Sequence, residues 1–325
     1  MKPTELLKSS AFMMSLALIA ALLTNFSGLF PSEVLNADIR SNVTVFMLAV
    51  MMTLSLSRYR FSNLNPVTHW RSILRALFMG LILSSIIPLV GYFLMRDTGF
   101  GDEAAGLIFI AATPFAASVA PLSYILRGDM EHAARGTIYV YVASLVWIPF
   151  VVWISLGESV DIMQVLIAVV EVIGIPLVVS RLLTRFDISR DVMAVFLNCC
   201  IFVLVWLSVG STNFAGTTAL ILVLFGIIAA LRSFGLGNVI EFAERRAGIP
   251  WGQRVADILM ASYKNKGIAI AMCVATLGPL AADAMVAIAT SIVVEICWVI
   301  FMDSVLFSRR RMERELARES QTASN

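Results

Sequence analysis

Hydrophobic residues form long unbroken runs along the chain, and short polar segments separate these runs; residues 10–23 and 216–231 are examples. A strand of a membrane β-barrel would alternate apolar and polar residues over about ten positions. A helix that crosses a bilayer instead needs roughly 20 mostly apolar residues. The pattern therefore predicts an all-α integral membrane protein with ten transmembrane helices. We place these spans near residues 9–29, 41–57, 72–95, 104–126, 132–156, 160–182, 191–211, 216–234, 252–278 and 281–307.

The amino-acid composition supports a membrane protein. Hydrophobic residues make up 59% of the chain and charged residues 14%, whereas soluble domains have about 45–50% apolar and about 25% charged residues. A bilayer removes the need for a polar surface, so this excess is expected there. The cysteines lie inside apolar runs, which is typical of buried small side chains and not of a disulfide or zinc framework. They are Cys199, Cys200, Cys273 and Cys297.

The positions of the basic residues predict the orientation, because cytoplasmic loops retain Lys and Arg. With the N-terminus inside, 20 of the 24 Lys and Arg residues fall on the cytoplasmic side of the predicted spans. Arg40 and Arg96 lie outside, and Lys264 and Lys266 lie within span nine. We therefore expect a multi-pass protein of the cell (inner) membrane with both termini in the cytoplasm.

The predicted spans divide into two halves of five, residues 1–158 and 159–308, followed by a cytoplasmic tail, residues 309–325, that extends the last helix. Because five is odd, a second half copied from the first must be inverted, as in many secondary transporters. Spans four and nine carry helix-breaking residues, Thr113-Pro114 and Asn265-Lys266-Gly267. Such matched interruptions favour a binding site at the membrane midplane. Two ordinary kinks, which membrane helices tolerate, are the alternative.

Four ionisable residues fall near the middle of predicted spans: Glu171 in span six, Lys264 and Lys266 in span nine, and Glu295 in span ten. Each costs at least ~2.5–3.5 kcal/mol to insert, so such residues indicate function. The two lysines are about 200° apart on a regular helix and cannot share one face. Two interpretations follow, structural ion pairs between the lysines and the glutamates, or a site for a charged substrate or a proton.

Polar residues of spans four, five and nine complete the predicted substrate- or ion-binding site. Serine and threonine elsewhere in the spans receive little weight, because most of them bond to backbone carbonyls or neighbouring helices. The predicted binding residues are Thr113, Pro114, Ser118, Thr137, Tyr263, Lys264, Asn265, Lys266 and Gly267, with Glu171 and Glu295 as charge partners.

The sequence lacks the motifs of several other protein classes. It contains no phosphate-binding G-x-x-x-x-G-K-[ST] segment, no H-E-x-x-H or G-x-S-x-G arrangement, and no T-V-G-Y-G filter. We therefore expect no ATP-driven pump, no enzyme, no cofactor, no bound metal and no nucleic-acid partner.

Four short segments, in this order along the chain, resemble the bile acid:sodium symporter superfamily. The resemblance implies ten helices arranged as a panel and a core, with spans four and nine broken and crossed in the core. It also implies transport of organic anions. The segments are Met51-Met52-Thr53-Leu54-Ser55-Leu56, Ile87-Pro88-Leu89-Val90-Gly91, Thr113-Pro114 through Arg127-Gly128-Asp129, and Asn265-Lys266-Gly267-Ile268-Ala269.

The chain departs from this family at the positions that bind sodium. In sodium-coupled members a glutamate and a glutamine flank the span-nine crossover, and these positions read Met260 and Lys264 here. A serine–asparagine pair in span four reads Val119-Ala120, and only Thr137 remains of the span-five hydroxyls. The departures imply that sodium coupling is lost and that the Lys264 ammonium takes the place of a cation. Glu171 is then a compensating change.

The sequence thus predicts a secondary transporter that moves a small or amphipathic organic anion by alternating access, without sodium coupling. Its partners would be this anion and the lipid bilayer. Two alternatives remain. One is a proton-coupled or uncoupled carrier that uses a Lys–Glu pair, and the other is a non-transporting membrane sensor or structural protein of the same fold.

Overall fold

The computed structural model describes residues 6–7, 10–57, 65–157, 160–184, 189–212, 214 and 217–323, and the regular secondary structure of these residues is helical. Six of the helices are long and apolar enough to cross a membrane, in agreement with the prediction of a helical multi-pass membrane protein. In chain order the helices are α1 Ser10–Phe26, α2 Ala37–Ser57, α3 Trp70–Met95, α4 Gly101–Ala112, α5 Val119–Ile125, α6 Met130–Leu156, α7 Ile162–Leu183, α8 Arg190–Gly210, α9 Ala219–Arg246, α10 Trp251–Ser262, α11 Lys266–Leu277, α12 Ala281–Leu306 and α13 Arg309–Ala323.

Two of the predicted spans are interrupted at the residues that the sequence indicated. Helix α4 ends where Thr113 becomes extended, with φ −73° and ψ 149°, because the residue before a proline is disfavoured in the helical region. Helix α10 ends at the extended residue Tyr263. Helix α11 then begins behind Asn265, whose side-chain oxygen accepts a hydrogen bond of 3.1 Å from the backbone N–H of Ile268.

Four of the long helices contain a π-helical turn, a feature that often occurs at functional sites. The turn in α3 contains Gly80 and the turn in α9 contains Arg232, and both residues contribute groups to the candidate site described below. The four turns are Phe78–Leu83 in α3, Val170–Gly174 in α7, Leu231–Gly235 in α9 and Met302–Leu306 in α12.

Helix α9 continues to Arg246, well beyond the predicted end of span eight at residue 234. Buried carboxylates hold the extension against neighbouring helices. Glu241 accepts a hydrogen bond of 3.0 Å from Arg254 of α10, and Glu244 accepts one of 2.5 Å from Arg75 of α3. The hydropathy of the segment did not reveal this, because its charges are neutralised only by tertiary contacts.

The C-terminal segment was predicted to extend the last helix, and this prediction is wrong. The chain turns after α12, and α13 packs back onto α10. Glu315 lies 3.0 Å from Arg254, and Glu319 accepts a hydrogen bond of 2.6 Å from the backbone N–H of Trp251. Arg254 is only 2% exposed, and a buried guanidinium needs carboxylate partners. The contacts of Glu315 and Glu319 with α10 therefore hold α13 against this helix.

Helix α4 lies at the centre of the helix packing. It contacts α3, α6, α11 and α12, whereas α1 packs on α8 and α2 packs on α7. The approach of α4 to α12 is close enough to require a glycine, because a Cβ atom at Gly106 would lie 2.0 Å from the carbonyl oxygen of Ala284.

The variant Gly106→Ala should therefore lower the free energy of unfolding by about 1–3 kcal/mol, as overpacking typically does. Gly226→Ala in α9 is the matched control, because no atom lies within 4 Å of the added Cβ there. Thermal unfolding of the two purified full-length variants measures the difference. Equal unfolding temperatures would contradict the packing of α4 on α12.

Candidate functional site

The two interrupted segments cross each other and pair through their backbones. Phe115 and Lys264 form an isolated antiparallel bridge. The N–H of Ala116 donates to the carbonyl of Tyr263, and the N–H of Asn265 donates to the carbonyl of Pro114, both at 2.9 Å. These bonds satisfy backbone groups that lost their helical partners, which hydrocarbon surroundings require. The crossover is therefore a defined structure and not a pair of independent kinks.

The side chain of Lys264 extends from the crossover into a cage of oxygen atoms. It is 1% exposed. Its Nζ atom donates to the carbonyls of Thr113 at 2.6 Å, Ala111 at 3.1 Å and Gly80 at 3.3 Å, and to the hydroxyl of Ser85 at 3.4 Å. Two of these carbonyls belong to the end of α4, where the helix dipole favours a cation. The Lys264 amine thus lies at a position surrounded by helix carbonyls, which would favour a cation.

The carboxylate of Glu295 joins the other charged side chains near the crossover. Its Oε1 atom lies 3.0 Å from Nζ of Lys266 and accepts a hydrogen bond from Nη2 of Arg232. The backbone N–H of Lys264 lies 3.4 Å from the same oxygen. Of the two predicted charge partners, Glu295 therefore pairs with Lys266. Lys264 makes no ion pair with a carboxylate within the described part of the chain.

Glu171, the other predicted charge partner, is not brought to the crossover. Helix α7 buries the face that contains Val165, Ala168, Val169 and Val172, and Glu171 falls on the opposite, exposed face. Side-chain direction along a helix depends on packing as well as position, and the sequence alone did not show which face is buried. The expected Lys–Glu171 pairing is corrected by this placement.

Arg232 is a site residue that the sequence analysis missed. It was assigned to the cytoplasmic end of span eight, but α9 continues past it and buries its side chain to 1% exposure. Besides Glu295, its Nη1 atom donates to the carbonyl of Ser262, the last residue of α10, at 3.0 Å. From the sequence, an arginine at the edge of an apolar run is expected to reach the polar surface. Its burial can be predicted only when the helix is known to continue past it.

Tyr141 of α6 connects the two crossing segments. Its hydroxyl donates to the carbonyl of Phe115 at 2.8 Å and accepts a hydrogen bond of 2.8 Å from the side-chain amide of Asn265. Tyr141 was not among the predicted site residues, because most polar groups in spans only bond locally. The predicted residue Asn265 therefore acts both as the helix cap of α11 and as a link to α6.

The remaining predicted residues differ in their position relative to the crossover. The carbonyl of Thr113 accepts a hydrogen bond from Nζ of Lys264, and the carbonyl of Pro114 accepts one from the N–H of Asn265. Ser118 lies beside the crossover and is partly exposed. The hydroxyl of Thr137 donates to Ala133 of its own helix at 2.8 Å, so it has a local role. Tyr263 is a backbone partner of Ala116.

Gly267 lies at a close helix contact and not in an open cavity. A Cβ atom at Gly267 would lie 2.2 Å from Cδ2 of Leu48 in α2. A glycine at this position lets α2 approach the start of α11.

The side chains at the crossover do not fit a bound sodium ion. Sodium is a hard cation and requires several oxygen ligands. The position that the resemblance assigns to a carboxylate holds the buried thioether of Met260, and the oxygen cage already holds the Lys264 ammonium. Within the residues that the structure describes, no group of three or more His, Cys, Asp or Glu side chains could hold a metal ion.

The comparison with protein families gives one match. A model of the Sodium Bile acid symporter family matches residues 45–233, which is more than half of the 325-residue chain. The matched segment contains the cage residues of α3 and α4 and ends before Tyr263. No curated protein matches the chain.

The variant Lys264→Met keeps most of the side-chain length and removes the charge. We expect a loss of about 1.5–3 kcal/mol in the free energy of unfolding, the range for hydrogen bonds to charged groups, because the carbonyls of Ala111 and Thr113 lose their donor. Lys266→Met should cost less, since Glu295 keeps Arg232 as its partner. Thermal unfolding of both purified variants tests this order, and a larger loss for Lys266→Met would contradict it.

Proposed function

The chain belongs to the sodium bile acid symporter family, and we propose that it is a secondary transporter that moves a small or amphipathic organic anion by alternating access, without sodium coupling. Members of this family are membrane transporters and not enzymes. The observation that carries the proposal is the Lys264 ammonium, which is bound by three carbonyl oxygens and one hydroxyl at the crossover.

The proposed architecture has ten transmembrane helices in two inverted repeats, residues 1–158 and 159–308. In this arrangement α4 with α5 forms the fourth span and α10 with α11 forms the ninth. The pairing of α1 with α8 and of α2 with α7 supports a panel made from these four helices, and the helices around α4 would form the core. The matched interruptions and their crossing support the inverted repeat.

Loss of sodium coupling follows from the charge of the cage. A covalently attached ammonium supplies the positive charge that a bound cation would supply, but it cannot leave with the substrate. The cage oxygens are therefore occupied in every conformation that keeps Lys264 in place. An ion gradient can drive transport only through an ion that binds and dissociates.

An anionic substrate is supported by the charges near the crossover. The side chains of Lys266 and Arg232 both pair with one carboxylate, Glu295, which leaves an excess of positive charge when all three are ionised. The Lys266 side chain is 10% exposed and stands at the start of α11, where the helix dipole favours an anion. We propose that Lys266 and the partly exposed Ser118 contact the substrate, and that Lys264 acts only as the fixed cation.

A second carrier mechanism is supported by the ion pair of Lys266 and Glu295, whose charged atoms lie 3.0 Å apart. In a proton-coupled or uncoupled carrier this pair would separate and form again as the anion binds and leaves. In a non-transporting protein the same pair would instead hold α11 and α12 together permanently. Substrate-dependent protection of a cysteine introduced near Lys266 separates the two cases, because only a carrier should show it.

We expect that replacing sodium by potassium or choline leaves ligand affinity unchanged, since Met260 and Lys264 stand at the two positions where sodium-coupled members carry a carboxylate and an amide. The measurement is the ligand-induced shift in unfolding temperature of the purified protein, with a conjugated bile acid and short-chain carboxylates as probes. Lys266→Gln should reduce the shift for any probe that binds, because it removes the cation that is proposed to contact the substrate. A steep dependence of the shift on sodium would contradict the proposal.

Both termini should lie in the cytoplasm, because most basic residues fall on that side of the proposed spans. In a variant without the native cysteines, Ser320→Cys should resist a membrane-impermeant thiol reagent added to intact cells. Gly99→Cys, in the turn between α3 and α4 on the opposite side, is the positive control. Labelling of Ser320→Cys from outside would reverse the orientation.

A further inference from the structure

The last turns of α9, from Leu236 onward, and helix α13 expose their basic side chains and bury most of their acidic ones. Three of their glutamates are buried and Glu319 is half-buried, which leaves Glu313 as the exposed glutamate among their described side chains. Six arginines of the same segments are exposed, and together they are called the arginine surface here. The buried glutamates are Glu241, Glu244 and Glu315, and the exposed arginines are Arg245, Arg246, Arg309, Arg310, Arg314 and Arg318.

The arginine surface is continuous across the two helices, because they meet at the carboxylate of Glu315. This carboxylate lies 2.8 Å from Arg245 of α9, 3.0 Å from Arg254 of α10 and 3.5 Å from Arg318. One negative charge is thus shared by three arginines. The exposed arginines that form no ion pair within the described part of the chain are Arg246, Arg310 and Arg314. The protein itself therefore leaves an excess of positive charge on this surface.

Both helices that lead into this surface reach the depth of the lipid headgroups. Arg232 of α9 and Glu295 of α12 pair with each other beside the crossover, which lies at the membrane midplane in the proposed architecture. A helix rises about 1.5 Å per residue, so Arg246 stands about 21 Å, and Leu306 at the end of α12 about 16 Å, from that level. The hydrocarbon extends about 15 Å from the midplane and the headgroups extend to about 20–22 Å. Arg246 and the start of α13 thus lie among the headgroups.

The exposed apolar residues before Arg246 agree with this depth. Val239 and Phe242 are 63% and 66% exposed, and residues three apart lie on the same face of a helix. By the same rise they stand about 10 and 15 Å from the midplane, at the level of the acyl chains. The guanidinium carbon of Arg246 lies 6.0 Å from the centre of the Phe242 ring. One face of α9 therefore presents apolar side chains and then a cation, in the order in which a phospholipid presents its chains and its phosphate.

We propose that the arginine surface binds the headgroups of anionic phospholipids, with the acyl chains lying against Val239 and Phe242. The guanidinium fork matches the geometry of a phosphate group. Clusters of about four to eight basic residues directly cytoplasmic of a transmembrane helix are typical of anionic-lipid recognition. A soluble polyanion would neutralise the arginines but would leave the two apolar side chains without a partner. The inference does not depend on the transported substrate, so it can fail without affecting the proposed function.

The test uses the purified full-length protein in detergent micelles that contain phosphatidylcholine, into which phosphatidylglycerol is titrated at constant ionic strength. Phosphatidylglycerol should raise the unfolding temperature saturably, because a ligand that binds only the folded state stabilises it. Arg246→Gln should increase the half-maximal mole fraction of phosphatidylglycerol about fivefold, the effect of one basic residue near an anionic lipid surface. Arg314→Gln should also increase it, which keeps the test decisive if Arg246→Gln folds poorly.

Arg96→Gln is the matched control and should leave the half-maximal mole fraction unchanged. Arg96 is also an exposed arginine over an aromatic ring, with its guanidinium carbon 5.1 Å from the centre of the Phe93 ring. It differs in having the carboxylate of Asp97 as a partner at 3.3 Å and in lying at the opposite end of the proposed spans.

Three outcomes would overturn the proposal. The first is an equal unfolding temperature with and without phosphatidylglycerol. The second is an equal response of Arg96→Gln and Arg246→Gln, because any exposed arginine would then have the same effect. The third is a rise of the same size when inorganic phosphate is added to micelles without phosphatidylglycerol, because the surface would then bind a free anion and not a lipid.

Discussion

The burial of one cation, the Lys264 ammonium, is the constraint on which the arrangement of the crossover depends. A charged amine inside a bilayer needs oxygen partners, and the nearest ones are the carbonyls at the interrupted end of α4 and in the π-helical turn of α3. The backbone of Lys264 is at the same time part of the bridge with Phe115. One residue therefore ties three segments together, and it does so with an amine that is covalently attached and cannot diffuse away.

The sequence predicted those features that depend on local chemistry. Pro114 and Asn265 mark the two interruptions correctly because a proline and a helix-capping side chain act on adjacent backbone. The roles of charges were harder to predict, because a charge finds its partner through packing. Glu171 lies on the exposed face of α7, and Arg232 was placed at a span end although α9 continues past it. The cage of Lys264 uses backbone carbonyls, which no residue type reveals.

Helix α10 is bonded to its neighbours at both ends. Near its beginning, Arg254 donates to Glu241 of α9 at 3.0 Å. In its middle, Asp257 lies 2.8 Å from Nε2 of His132 and 2.6 Å from Nε of Arg75. At its end, the hydroxyl of Ser262 accepts a hydrogen bond of 2.8 Å from Trp298, and its carbonyl accepts one from Arg232. Separating one partner from a buried ion pair costs about 3–5 kcal/mol. Helix α10 therefore cannot shift alone against α3, α6, α9 and α12.

Two polar contacts between this bonded group and the helices α1 and α2 are of a weaker kind. The hydroxyl of Tyr263 approaches Sδ of Met14 at 3.7 Å, and the side-chain amide of Asn265 approaches Sδ of Met52 at 3.8 Å. A thioether is a weak acceptor on a flexible side chain that adapts to changed surroundings. Such contacts can be exchanged at little cost, whereas the ion pairs around α10 cannot. The proposed alternating access would therefore move the crossover and its bonded helices as one body against α1 and α2.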